Sequence, residues 1–286
     1  MSKSIDTHRC RLDRVAVLGA DSFDYRKTGY LFFVCILLFC HNAFAENVHW
    51  QQSDYIHNSF IDIALNNEYS SDVSSLRKWT QPIFYSIIHR TADKDLHQRI
   101  TESHLDHLAR ITGLDIRPVV TESAPNLTII FSTEKLISQE LKQDFLLNNQ
   151  QQIVVLSRHS VCLARFSVHP DSSIKQATVI IPVDRARAHA KLLSCVVEEL
   201  TQIMGLPNDS DKVFPSIFND KSHDDYLSGL DFLLLKLLYR PEIKAGMNVE
   251  QVNKQLSRII PEEEFQQLIK DSEQLVHQYG LYRLLN

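Results

Sequence analysis

Glycine is scarce, with seven residues in a chain of 286. Loops that cradle phosphate through closely spaced glycines are thereby excluded, and neither G-x-G-x-x-G nor G-x-x-x-x-G-K-S/T occurs. Clustered basic residues are missing as well. Lys and Arg number 30 against 35 Asp and Glu, and no basic stripe interrupts the mixture. Nucleic acid and anionic membrane are therefore poor partners, since both require concentrated positive charge. Internal repeats and low-complexity tracts are absent. The apolar run from Tyr30 to Cys40 falls short of the roughly 20 residues that a membrane-spanning helix needs. What is present is ordinary globular composition, 44% hydrophobic and 23% charged, sufficient for one large domain or two small ones.

The short apolar run sits in a leader. Arg26 and Lys27 precede it and Ala43-Phe44-Ala45 follows, which is the order of a signal peptide cleaved before Glu46. An uncleaved anchor is the competing reading. Phe39 before Cys40 is too bulky for a lipidation site, and residues 1–25 read as an upstream extension. Residues 1–45 hold six of the 30 basic and four of the 35 acidic residues, leaving 24 and 31, a formal charge of −7. The expectation is an exported protein, periplasmic or secreted, with no stable membrane span after cleavage. Cys10, Cys35 and Cys40 fall in the leader, so the mature chain keeps only Cys162 and Cys195. An even pair in an oxidising compartment predicts one disulfide, the alternative being two buried thiols.

Along the mature chain, 46–75 is a mixed polar segment in which Phe60–Leu65 reads as a short strand or a helical turn. The ordered core is expected to begin at Trp79. Strands are predicted at 82–88, 116–120, 127–131, 153–156, 163–168 and 177–183, from their β-branched and aromatic content. Helices are predicted at 93–112, closed by Gly113, and at 134–146. A further one starts with Asp184 as its cap and runs unbroken to Met204. The C-terminal third is helical. The order predicts an α+β fold.

The chemistry concentrates in Cys195-Val-Val-Glu198-Glu199-Leu-Thr-Gln202-Ile-Met-Gly205-Leu-Pro-Asn208-Asp209. Glu198 and Gln202 are four apart and share a helix face. Gly205 permits a sharp exit that would return Asn208 toward that face. Such a layout suits a metal held by three side chains, with Glu199 taking a proton from bound water. The donors, however, are one carboxylate and two amides, weak ligands for zinc and better matched to hard cations. No zinc is expected, and a divalent ion on Glu198, Gln202 and Asn208 is the alternative. Met247, His223, and His104 with His107 are further candidates. Their ordinary readings are a core or loop methionine, a solvated loop and surface histidines.

This motif, followed by Ser216-Ile217-Phe218-Asn219-Asp220 and by Leu227-x-x-x-Asp231 through Leu238-Tyr239-Arg240-Pro241 to Gly246-Met247, resembles the DUF2927 family of bacterial exported proteins. Its helix pattern is in turn similar to zincin and metzincin peptidases, with all three histidines replaced. The resemblance implies a zincin-like mixed β-sheet with two long helices and a helical C-terminal subdomain. It divides the chain into a leader (1–45), an N-terminal segment (46–75), the DUF2927 domain (76–250) and C-terminal helices (251–286). It implies a degenerate site in which Glu198, Gln202, Asn208 and Asp209 bind a peptide or protein partner in the old cleft, or serve structure alone. One alternative is a metal-dependent peptidase with Glu199 as base. Another is a cell-envelope carbohydrate-interaction module.

Overall fold

A computed structural model describes residues 49–65, 75–120, 124–222 and 225–284. The leader, with its cleavage signal, and His223 lie outside the described residues. The α-helices are α1 (Ser53–Leu65), α2 (Lys94–Thr112), α3 (Ile137–Gln143), α4 (Gln150–His159), α5 (Val183–Ala188), α6 (Leu192–Gln202), α7 (Gly229–Leu238), α8 (Val249–Ile259) and α9 (Glu263–His277). The strands are β1 (Ile83–His89), β2 (Ile116–Pro118), β3 (Leu127–Ser132), β4 (Leu163–Val168) and β5 (Ile174–Pro182). None of the described helices is long and apolar enough to cross a membrane.

The strands form one mixed sheet in the order β2-β1-β3-β5-β4. The first four neighbours run parallel, and β4 alone is antiparallel, at the edge beside β5. Successive side chains point to opposite faces, which sorts the core into two parts. Ile129 and Phe131 of β3, with Val179 and Ile181 of β5, face the main core under α2 and α6. Ile130, Ile180 and Leu163 face the other way and pack under Ile137, Leu141 and Ile153 of α3 and α4. The protein is α+β, with the 19-residue α2 and the 11-residue α6 on one sheet face and a smaller helical cover on the other.

Three expectations need correction. First, Ile153–Leu156 is helical, part of α4. Asn149 caps that helix by accepting the Gln152 N–H, and only Ile153 is fully buried, so the run presents one apolar stripe rather than two faces. Second, Asp184 does not cap a continuous helix. It lies in the first turn of α5, and its carboxylate accepts the N–H groups of Glu134 and Arg185. The chain breaks at His189–Lys191, with Ala190 at φ 55°. The break lets α6 pack on β4 and β5. Third, the core begins before Trp79: Ile56, Phe60 and Ile63 of α1 are buried in it.

Cys195 on α6 is bonded to Cys162 just before β4, with Cα atoms 5.8 Å apart. The bridge pins the first half of the motif helix to the edge strand. Loop-closure entropy for its separation of 33 residues implies stabilisation by about 3–4 kcal/mol. Replacing both cysteines by alanine should lower the unfolding free energy in urea by that amount. A change below about 1 kcal/mol would show that the link adds nothing.

The far end of α6 is held by the segment before β1. A helix leaves its last carbonyls without intrahelical partners. Trp79 Nε1 donates to Ile203 O at 2.8 Å, and Tyr239 Oη donates to Met204 O at 2.8 Å. Lys78 does the same for α7, donating to Leu238 O at 2.7 Å and to Ile243 O at 2.8 Å, and burial lowers its ammonium to about 8. Both ends of α6 are thereby fixed.

Candidate functional site

On α6, Val196, Val197 and Leu200 face the core, which leaves Ser194, Glu198 and Gln202 on the opposite face at four-residue intervals. Gly205, at φ 114°, ends this stretch. A Cβ there would stand 2.0 Å from the carbonyl oxygen of Arg77. The glycine thus turns the chain and also admits the segment that anchors α6.

The turn carries Asn208 past the Glu198 face. Asn208 Nδ2 donates to Ile63 O at the end of α1, at 2.9 Å, and its N–H reaches the same oxygen at 3.2 Å. Gln202 Nε2 donates to Asp209 Oδ1 at 2.8 Å. Glu198, Glu199, Gln202 and Asp209 are therefore brought together, and Asn208 is not. Among the described residues no three His, Cys, Asp or Glu side chains gather as a metal site. Both amides use their NH2 groups in these bonds, Asn208 toward the end of α1 and Gln202 toward Asp209. Met247 is tied elsewhere, its carbonyl accepting the Leu76 N–H at 2.8 Å.

The carboxyls that do gather are strongly perturbed. Burial, then the charges of Asp209 and Asp220, push Glu198 up to about 7, with only Lys191 opposing. Glu199 is 6% exposed, and its backbone carbonyl accepts the Ile203 N–H at 3.2 Å. Burial first, then Glu198 and Asp209, raises it well above the ordinary carboxylate range. This is a local excess of negative charge in a poorly solvated place.

Two hollows open along this face of α6. One, of about 290 Å³, lies at its N-terminal half and is lined by Lys191, Ser194, Glu198, Asn219, Asp220 and Asp225, among others. The other, of about 460 Å³, lies at its C-terminal end between Gln202, Ile203 and Pro207 on one side and Ala164–Val168 of β4 on the other, with Arg77 in its wall. Residues 202 and 198 are one helical turn apart, and the two hollows share no lining residue. A larger cleft of about 570 Å³ between Arg110–Gly113, Tyr239–Pro241 and α9 contains none of the motif residues. Its guanidinium groups are already paired, Arg110 with Asp106 and Arg240 with Glu262, so the motif face is the stronger candidate.

The family model described as "Protein of unknown function (DUF2927)" matches residues 53–258. The chain belongs to the DUF2927 family. No curated protein and no solved structure matches it. The DUF2927 match opens at the first residue of α1, the helix whose Ile63 carbonyl receives Asn208. It also takes in two residues of this DUF2927 protein whose sequence reading fails. His104 and His107, expected at the surface, are 1% and 2% exposed. Thr201 Oγ1 on α6 donates to Val197 O, so it is His104 Nε2 that donates to Thr201, at 3.0 Å. His107 is covered by the C-terminal turn, where a Cβ on Gly280 would stand 2.4 Å from its Nδ1. Partner elements distant in sequence cover both rings, and no local signal announces them.

Proposed function

We propose that this protein is an exported, non-catalytic peptide-binding module. An extended segment of a peptide or protein partner adds to the outer edge of β4 and lies along the Glu198–Gln202 face of α6. The observation that carries this reading is the free edge of β4 beside the trough at the end of α6. An edge strand exposes unpaired N–H and C=O groups that an extended chain can pair. The register of β4 shifts between Ser167 and Val168, and irregularities of this kind re-aim side chains. Val168 is 41% exposed, and Leu146, also 72% exposed, flanks the pocket on the opposite face of β4. Apolar exposure on both sides of one edge favours a partner there. The Cys162–Cys195 bridge agrees with export to an oxidising compartment.

The test is a peptide selection from a random library against the purified protein, followed by methylation of each backbone amide of a selected peptide in turn. Strand addition uses alternate amides. Affinity should fall tenfold or more at every second residue and little between. Failure to select any peptide, or losses without that alternation, would overturn the reading.

A further inference from the structure

The edge strand β4 has a hollow on each of its faces. The trough of about 460 Å³ and a smaller hollow of about 120 Å³ both have Arg165, Phe166 and Ser167 in their walls. Side chains alternate between faces along a strand. Ala164 and Phe166 pack on the main core, whereas Leu163 packs on the second core under α3 and α4. The trough, with Ile203 and Pro207, therefore lies on the α6 face, and the smaller hollow, with Phe145 and Leu146, on the other. Among the described residues, the backbone of β4 bonds only to β5.

One end of the trough is charged. Lys78 bridges to Ser173, and its carbonyl accepts the N–H of Ile174, the residue opposite Val168, at 2.9 Å. Arg77, next to Lys78, thus stands at the Val168 end. No carboxylate lines the trough, and Arg77 makes no ion pair among the described residues. Arg165 is engaged on the other face, donating to the Phe145 carbonyl. A guanidinium fork matches a carboxylate, and here the protein supplies none.

Resting on the strand-addition reading above, we infer that the segment taken up carries an aspartate or glutamate against Arg77, a large apolar side chain two residues away against Phe166 and Ile203, and a small residue between them. The pleat sets this pattern. A residue added beside a strand shares the face of its neighbour. Phe166 and Val168 are two apart, so the acidic and apolar side chains both enter the trough, and the middle one enters the narrower hollow beside Leu146.

Peptides selected against the protein provide the test. The expected result is an acidic and a large apolar residue two positions apart, with glycine, alanine or serine between. Changing the acid to its amide should weaken binding to the unaltered protein about tenfold. Arg77→Gln should weaken the acidic peptide equally and leave the amide peptide unchanged. Arg77→Glu should reject the acidic peptide and accept its lysine counterpart, a reversal that lost folding cannot mimic. Suppose alternate-amide dependence persists, but the acidic and apolar positions are random or an odd number apart, the amide peptide binds as well as the acid, or the middle position takes tryptophan as readily as alanine. The inference then falls and the strand-addition reading stands. If alternate-amide dependence is absent, strand addition falls and this inference with it.

Discussion

Gly205→Ala is expected to destabilise the protein by more than about 4 kcal/mol, or to prevent folding altogether. Two costs combine. The backbone there has φ 114°, where any Cβ is strained. The new Cβ would also stand 2.0 Å from the Arg77 carbonyl oxygen and 3.3 Å from Lys78 Cα, both backbone atoms that cannot rotate away. Relief would require pushing out the segment whose Trp79 and Lys78 satisfy the ends of α6 and α7. Gly113→Ala is the control. Gly113 also has positive φ, 75°, but nothing lies within 4 Å of its Cβ site, so strain alone applies and the cost should be about 1–2 kcal/mol. Urea unfolding followed by circular dichroism separates the two. Equal losses in both variants would show that the close approach to Arg77 contributes nothing.

Gly205 also illustrates what the sequence could disclose. A glycine after a helical pattern announces a turn, and the turn is there. Its second duty, admitting the Arg77 backbone, depends on a segment more than 120 residues earlier and leaves no local trace. The same division holds for the fold. The parallel strands were legible because each is a short β-branched run between polar turns. Ile153-Val154-Val155-Leu156 meets that description equally well, yet is helical, because Asn149 caps it and one stripe is enough to cover the second core. In α1, Ile56, Phe60 and Ile63 stand at helical spacing, a signal passed over in a segment otherwise polar. The break at Ala190 has no sequence signature, since alanine is among the better helix formers.

For the candidate site, the α6 spacing correctly placed Glu198 and Gln202 on one face, because periodicity fixes direction within a helix. It could not place Asn208, which lies beyond the helix end and finds α1 instead. Nor could it disclose the edge of β4, because which strand remains unpaired is a property of the whole sheet. Hydrophobic periodicity also misled for α2. His104 and His107 are polar by composition and buried by tertiary contact, and they give the protein an unusual response to acid.

That response should be a stability profile with a flat top between about pH 4.5 and 6.5 and a decline on both sides. Burial holds His104 down to about 3 and His107 down to about 4, from 6.5. His89 and His97 are also lowered, by burial first. Below 6.5 the unfolded chain takes up protons that the folded one refuses, so these rings lower stability as pH falls toward their folded values. Carboxyls act in the opposite sense. Burial raises Glu198 from 4.5 to about 7 and Asp231 from 3.8 to about 6, and Glu199 is also raised well above the ordinary carboxylate range. Their folded values exceed the unfolded ones, so their contribution is complete below the unfolded pKa and is lost as pH rises through the folded one. Each group is worth about 1.4 kcal/mol per pH unit across its window. Between 4.5 and about 6 the two sets nearly cancel. Below 4.5 Glu198 and Glu199, and below 3.8 Asp231, are protonated in both states, and the imidazoles drive unfolding. Above 6.5 the imidazoles are neutral in both states, and the carboxyls alone lower stability. Urea unfolding at half-unit steps from pH 3.5 to 8.5 measures the profile. His104→Gln, which keeps a donor for Thr201, should reduce the acid slope by about 1.4 kcal/mol per pH unit and leave the alkaline side unchanged. Glu198→Gln should do the reverse, raising stability at pH 8 by roughly 3 kcal/mol. Variants that shift the whole curve without altering either slope would show that these groups do not carry the linkage.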